Sequence, residues 1–217
     1  SSKSGFEFGA PYYFNLAPNH DLTLTPRLLA RRGLALEGQF RYLTERSHGN
    51  LGTWFLPGDD VDGRDRSFSS LWHQTDFTDH LRLSASIEHA SDSQYFEDFG
   101  LGPDGTSVTF LDRYLSLAWL GHGWRFDGRV QDFQTIDLSV DPLVRPYSRL
   151  PQLTFTGAWP LFDGGLTTSL DAEAAWFERD AGTTGLRVDL MPRVAWLLHG
   201  PGYHLEPSAA YRVTSYR

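Results

Sequence analysis

The chain has 217 residues, with 19 Lys and Arg against 27 Asp and Glu for a formal charge of −8, and it carries no Cys, 7 Trp, 9 Tyr and 15 Phe. An acidic balance excludes a nucleic-acid binder, whose phosphate contacts demand a surplus of Lys and Arg, and the missing Cys excludes disulfides, Cys-based zinc sites and thiol nucleophiles among these residues. No stretch approaches the roughly 20 apolar residues of a membrane helix, whereas a membrane barrel stays open, because its alternating strands average out to an ordinary hydropathy.

Period-2 alternation recurs along the chain and predicts an all-β protein of about twelve antiparallel strands, beginning near residues 6, 20, 33, 50, 67, 80, 108, 123, 149, 165, 185 and 203. Leu81, Leu83, Ala85 and Ile87 oppose Arg82, Ser84, Ser86 and Glu88, and Trp124, Phe126, Gly128 and Val130 oppose Arg125, Asp127, Arg129 and Gln131. Further on, Leu166, Thr168, Leu170, Ala172, Ala174 and Trp176 oppose Thr167, Ser169, Asp171 and Glu173. Leu186 to Leu198 is the clearest case, with Leu, Val and Trp on one face and Arg187, Asp189 and Arg193 on the other. Tyr203 to Thr214 repeats the design, with Glu206 and Arg212 on its polar face.

Between strands lie Pro57 to Arg66, Ser91 to Thr106, Ile136 to Arg149 and Glu178 to Gly185, which are turn-rich connections without low complexity, so residues 1–217 read as a single domain. Ser1 to Gly5 lacks the apolar core of a secretion signal. Many of the strands exceed ordinary globular length and match the tilted span of a bilayer. Aromatic residues gather at strand ends: Trp119 and Trp124 flank Gly121-His122-Gly123, Trp159 precedes Pro160 to Gly165, and Trp196 and Tyr203 straddle His199 to Gly202. Such placement fits the interfacial girdle of an outer-membrane barrel. A soluble β-sandwich, in which the apolar faces meet in a core, fits the alternation too.

Pro11 to Leu43 carries an ordered set of motifs: Pro11-Tyr12-Tyr13-Phe14-Asn15, Ala17-Pro18-Asn19, Thr25-Pro26, Arg31-Arg32-Gly33 and Phe40-Arg41-Tyr42-Leu43. In these it resembles the start of the barrel domain of the LptD family of lipopolysaccharide-assembly proteins of Gram-negative bacteria. The likeness continues more weakly through Ser91-Asp92, Tyr95-Phe96, Pro151-Gln152-Leu153 and Leu205-Glu206-Pro207. The resemblance implies a transmembrane β-barrel segment of the outer membrane, about the first half of a very large barrel. In the family a periplasmic jelly-roll precedes that barrel and further strands close it. It also implies a plug lipoprotein, LptE, inside the barrel, and a periplasmic Lpt bridge that delivers lipopolysaccharide through the jelly-roll. The lipid would leave by a lateral gate between the first and last strands, and the family's disulfide cysteines would lie outside this segment. Neither a cofactor nor a metal is implied.

If the first hairpin turns at Pro18-Asn19, Pro11 and Pro26 face each other, and each removes a ladder donor. By the resemblance, Pro11, Tyr12, Tyr13, Asn15 and Pro26 would form the gate; on physical grounds alone the prolines would protect an edge strand from aggregation. The charged faces have a similar double reading. Arg82, Glu88, Arg125, Asp127, Arg129, Asp171, Glu173, Arg187, Asp189, Arg193, Glu206 and Arg212 would line a wet lumen, or else form a solvated sheet face. With the first residue on the periplasmic side, the longer connections fall on that side as well. That departs from the usual barrel, so either a strand is miscounted or the family differs.

Other chemistry has thin support. The eight His lack ligand spacing, and Asp60-Val61-Asp62-Gly63 has Gly58 and Ser69 where a calcium loop needs carboxylates. An outer-membrane lipid hydrolase would need a Ser–His pair, for which Ser84 or Ser86 with His73 is the nearest choice. A passive porin would need neither a plug nor the first-hairpin motif.

Overall fold

The structure, a computed structural model, describes residues 3–100, 107–162 and 165–217. The first two serines, the Gly102-Pro103-Asp104-Gly105 stretch and the tip of the Pro160 to Gly165 turn lie outside the described residues. The strands are β1 (Glu7–Gly9), β2 (Tyr12–Ala17), β3 (His20–Leu29), β4 (Gly33–Leu43), β5 (Ser47–Leu56), β6 (Arg66–Thr78) and β7 (Leu81–Ala90). After a helix, α1 (Tyr95–Phe99), come β8 (Phe110–Gly121), β9 (Trp124–Thr135), β10 (Ser148–Leu161), β11 (Leu166–Glu178) and β12 (Gly185–Trp196). The last segment holds four short strands, β13 (Leu198–Gly200), β14 (Tyr203–Leu205), β15 (Ser208–Ala210) and β16 (Val213–Tyr216). No helix is long and apolar enough to cross a membrane.

Sheet order follows chain order, with β1 and β2 together forming one edge on β3, and β15 and β16 sharing the far side of β12. The chain is therefore an all-β, antiparallel barrel segment, and its long strands start within a few residues of where the alternation puts them. The predicted last strand is a correction. Its register with β12 is continuous, Ala210 facing Arg193 and Val213 facing Leu190, but the strand breaks at Tyr211-Arg212. The cause is Pro192: Tyr211 N–H donates to the Pro192 carbonyl at 3.1 Å, and Pro192 has no N–H to return the bond. Residues Leu198–Gly200 and Tyr203–Leu205 pair instead as a separate small hairpin.

Packing divides the chain into two units. One comprises Ser1–Asp76, Ser84–Leu115 and Asp132–Arg145. Within it the register of β3 to β6 sorts side chains onto two faces. One face presents Leu22, Leu24, Leu28, Leu34, Leu36, Phe40, Leu51 and Phe55, many of them exposed. The other carries Asp21, Thr23, Arg27, Glu37, Gln39, Arg41, Asn50 and Ser70 along most of its length. At one end this polar face turns apolar, with Leu29, Ala35, Leu56, Trp54 and Phe68, and there α1 lies against it. Asp92 accepts from the Gln94 N–H at 2.9 Å and turns the chain into the helix. Tyr95 and Phe99, one helical turn apart, then meet Trp54 at ring distances of 5.4 and 4.5 Å.

The other unit comprises Phe77–Leu83, Ser116–Gln131 and Pro146–Arg217. Its ladders place Trp124, Phe126, Leu153, Phe155, Leu170, Ala172, Val188, Leu190 and Val194 on one face. Pro151 sits in a bulge of β10 between Arg149 and Gln152, where a central strand tolerates proline. Leu153, Leu190 and Val194 are each about two-fifths exposed, so this unit carries an exposed apolar surface over several strands.

Candidate functional site

The first hairpin corrects the expectation that Pro11 and Pro26 face each other. At the turn Ala17 faces His20 as expected, but Leu16 is an extra residue in a bulge, so beyond it Asn15 faces Asp21 and Tyr12 faces Leu24. The same register continues with Gly9 facing Arg27, which sets Pro26 opposite Ala10 and Pro11 opposite Thr25. One residue of bulge shifts every pair beyond it.

The consequence is sharper than mutual opposition. Ala10 N–H donates to the Pro26 carbonyl at 3.1 Å, and Pro26 cannot return the bond. Backbone groups of successive residues point to opposite edges of a strand, so the missing N–H of Pro11 belongs to the outer edge, away from β3. One proline thus weakens the inner ladder and the other weakens the edge, and the edge strand is interrupted there as β1 and β2. Of the remaining residues in this group, Tyr12 shares the apolar face with Phe14, their rings 4.5 Å apart, while Tyr13 and Asn15 share the polar face with Thr23 and Asp21. Asp21 in turn accepts a two-pronged bond from Arg41 at 2.8 and 3.0 Å.

Beneath the hairpin lies a cluster that sequence reasoning missed. Arg66, fully buried, donates to both oxygens of Asp92 at 2.6 and 2.9 Å and reaches Asp98 and Asp62 at 3.1 Å and Asp59 at 3.4 Å. Arg32, also buried, donates to Asp59 at 2.5 Å and reaches Asp98 at 3.2 Å. Both guanidinium groups lie over the Phe99 ring, at 4.9 and 5.0 Å from its centre. Burial by itself would raise the Asp92 carboxyl, but its bonds from Ser91 and Arg66 outweigh that and hold it below the ordinary range. Burial pushes the Tyr95 hydroxyl well up, so it stays protonated. The sequence signal was present in the acidic run 57–66 and the Tyr95-Phe96-x-x-Phe99 spacing. What joins them is tertiary. The same contacts account for the Asp60-Val61-Asp62-Gly63 motif, since the neighbouring Asp59 gives its oxygens to Arg32, Arg66 and the Val61 N–H.

In the second unit, register brings together many of the charged residues expected on the polar face. Arg125, Asp127, Arg129, Asp171, Glu173, Arg187, Asp189 and Arg193 occupy one side of β9, β11 and β12, with Gln152 and Thr154 of β10 between them. Arg187 and Gln152 both bond Glu173, the latter at 2.6 Å. Arg212 and Thr214 bond Asp189 at 2.9 and 2.5 Å. Arg125 pairs with Asp127 at 2.6 Å. The result is a face of alternating sign whose charges pair locally. Arg82 and Glu88 lie on the polar side of β7 by alternation. Glu206, between β14 and β15, stands outside the ladder.

A third polar group lies on the apolar face of the first unit. The ring nitrogens of His73 are taken by the hydroxyls of Tyr42 and Thr75, and Thr75 bonds Ser47 at 2.8 Å. His73 therefore has no ring nitrogen left for Ser84 or Ser86. Among the described residues no cluster of three His, Asp or Glu has the geometry to hold a metal ion.

Comparison with known proteins bears on what these surfaces serve. The family described as "LptD: LPS transport system D" matches residues 64–217. Proteins named LPS-assembly protein LptD are similar over the whole chain: that of Nitrosococcus oceani is 39% identical, that of Alkalilimnicola ehrlichii 38% and that of Bordetella pertussis 36%. The chain spans 30%, 29% and 28% of their respective lengths.

Proposed function

The chain belongs to the LptD family, and from that premise we propose that it forms part of an outer-membrane barrel wall that moves lipopolysaccharide to the cell surface without covalent chemistry. The apolar faces meet membrane lipid, and the polar faces line a lumen wide enough for sugars and for the plug lipoprotein LptE. The self-neutralising wall around Glu173 and Asp189 suits that task, because mixed charge passes phosphorylated sugars without trapping them. Lipopolysaccharide comes over a periplasmic Lpt bridge through a jelly-roll elsewhere in the protein, so the strand ends near Lys3 to Phe6 face the periplasm. In the first unit those ends carry the connections 57–65 and 91–109, while the opposite ends carry only short turns at 18–19 and 44–46. On this reading the long connections lie on the periplasmic side, the reverse of the usual barrel.

The observation that carries the gate is the proline break of the edge strand. At that level Pro26 deprives Ala10 of a bond and Pro11 leaves the outer edge one donor short, each loss worth about 0.5–1.5 kcal/mol. Pro11, Tyr12, Tyr13, Asn15 and Pro26 thereby mark the seam through which the lipid leaves. The test is replacement of Pro11 and Pro26 together by Ala in the full-length protein. Slower arrival of lipopolysaccharide at the surface is expected, and unchanged export with a folded barrel would end the gate reading.

A further inference from the structure

The residues below the proline break are tied down by side chains as well as by the ladder, and those above it by the ladder with β3 alone. Arg31 N–H donates to the Ser4 carbonyl and Ala30 N–H to that of Phe6, at 3.3 and 2.9 Å, and Arg32 Nε reaches the Lys3 carbonyl at 3.4 Å. Glu7 bonds Arg27 at 2.9 Å, Arg27 bonds Glu37 at 2.6 Å, and Ser4 is buried. Lys3 then reaches across to α1, bonding Glu97 at 2.8 Å and approaching Asp98 at 3.6 Å. Asp98 is the hub: one carboxylate meets Lys3 of the leading segment, Arg32 of the β3–β4 turn and Arg66 at the start of β6. Tyr12 to Leu16, by contrast, are exposed, and among the described residues their side chains make no hydrogen bond or ion pair.

We infer that α1 and the Arg32–Arg66–Asp98 cluster form a clasp that fixes the base of the first strand, so that the seam opens only from the 18–19 turn down to the prolines. Arg32, Arg66 and Asp98 are positioning residues, acting through the leading segment. The proline level is the hinge: the ladder above it can be lost while Glu7 to Gly9 stay paired to Arg27 to Leu29. An opening of this shape lets the upper part of the edge strand move away from β3, widening the seam, without freeing the strand end near Lys3. The inference rests on the gate reading above and adds where the gate stops.

Amide hydrogen exchange of the full-length protein in lipid nanodiscs, read on overlapping peptides, tests it. By register the amides of Phe8, Tyr12 and Phe14 all point toward β3, so their exchange compares like bonds at two levels. In the unmodified protein Phe8 should exchange at least about tenfold more slowly than Tyr12 and Phe14. Lys3→Ala, which cuts an exposed tie and leaves the buried cluster whole, should accelerate Phe8 alone, and Asp98→Asn should do so further. Equal, fast exchange at both levels in the unmodified protein would overturn the clasp and leave the gate. Equal, slow exchange at both levels would remove the hinge at the prolines and with it the clasp, while the gate between the first and last strands would still be judged by the replacement of Pro11 and Pro26. Should the variants speed Phe8, Tyr12 and Phe14 alike, or none of them, the cluster would be a general stabiliser and the clasp would be refuted.

Discussion

Replacing Arg66 with Met removes the centre of the buried cluster while keeping most of the side-chain volume. Arg66 is fully buried and supplies both of its bonds to Asp92, along with contacts to Asp98, Asp62 and Asp59. Arg32 still serves Asp59 and Asp98 in the variant, but Asp92, itself nearly buried, keeps Ser91, the Gln94 N–H and only the more distant Arg64 at 3.7 Å. Leaving such a carboxylate without its hydrogen-bonded cation costs about 3–5 kcal/mol. Arg66→Lys retains the charge but not the fork that grips both Asp92 oxygens, and should cost on the order of 1–3 kcal/mol. Adding Asp92→Asn to Arg66→Met should recover part of the loss, because the uncompensated charge disappears with it. Urea unfolding of the full-length protein in lipid vesicles, followed by Trp fluorescence, gives these differences as midpoint shifts at constant slope. A loss below about 1 kcal/mol for Arg66→Met would show that the acidic groups take up protons or water freely, and the argument from burial would fail.

The lowered carboxyl of Asp92 predicts an acid limb in stability. Its contribution is complete above its ordinary value near 3.8 and is lost as pH falls through the depressed folded-state value, so Asp92→Asn should flatten the unfolding midpoint over that range. Leu190, on the apolar face between Ala172 and Val213, should tolerate Arg poorly, with a loss of about 2–4 kcal/mol in vesicles, while Met191→Arg on the polar face should change stability little. Equal losses at 190 and 191 would contradict the assignment of lipid and lumen faces. Gly49 lies between Tyr42 and His73, and a Cβ there would overlap the Trp72 carbonyl and the Tyr42 hydroxyl. Gly49→Ala should cost about 1–3 kcal/mol, and Tyr42→Ala in that background should not restore it, since the Trp72 carbonyl is backbone.

The strands were legible because one apolar and one polar face impose a strict two-residue period, as at Leu166–Glu178, where each neighbour changes face. Hairpin counting failed at Leu16 because alternation carries no mark of a bulge in an exposed edge strand. The break at Tyr211-Arg212 had a visible cause in Pro192, but only pairing of the last segment with β12 turns that proline against it. The charged wall of the second unit was readable residue by residue, and register then decided which charges meet. The acidic run and the aromatic spacing were visible, but nothing local joined them, since Arg32, Asp59, Arg66, Asp92 and Asp98 come from three separate stretches and obey no period.

The central claim is that the first hairpin lies on the path of lipopolysaccharide export. Site-specific photo-crosslinking in living cells tests it most directly, with a probe at Tyr12 beside the proline break and a second at Arg187 on the polar wall. The account predicts a lipopolysaccharide adduct from Tyr12 that disappears when transport is halted. Adducts from Arg187 with none from Tyr12 would make this segment a lumen wall alone, and its prolines mere protection of an edge.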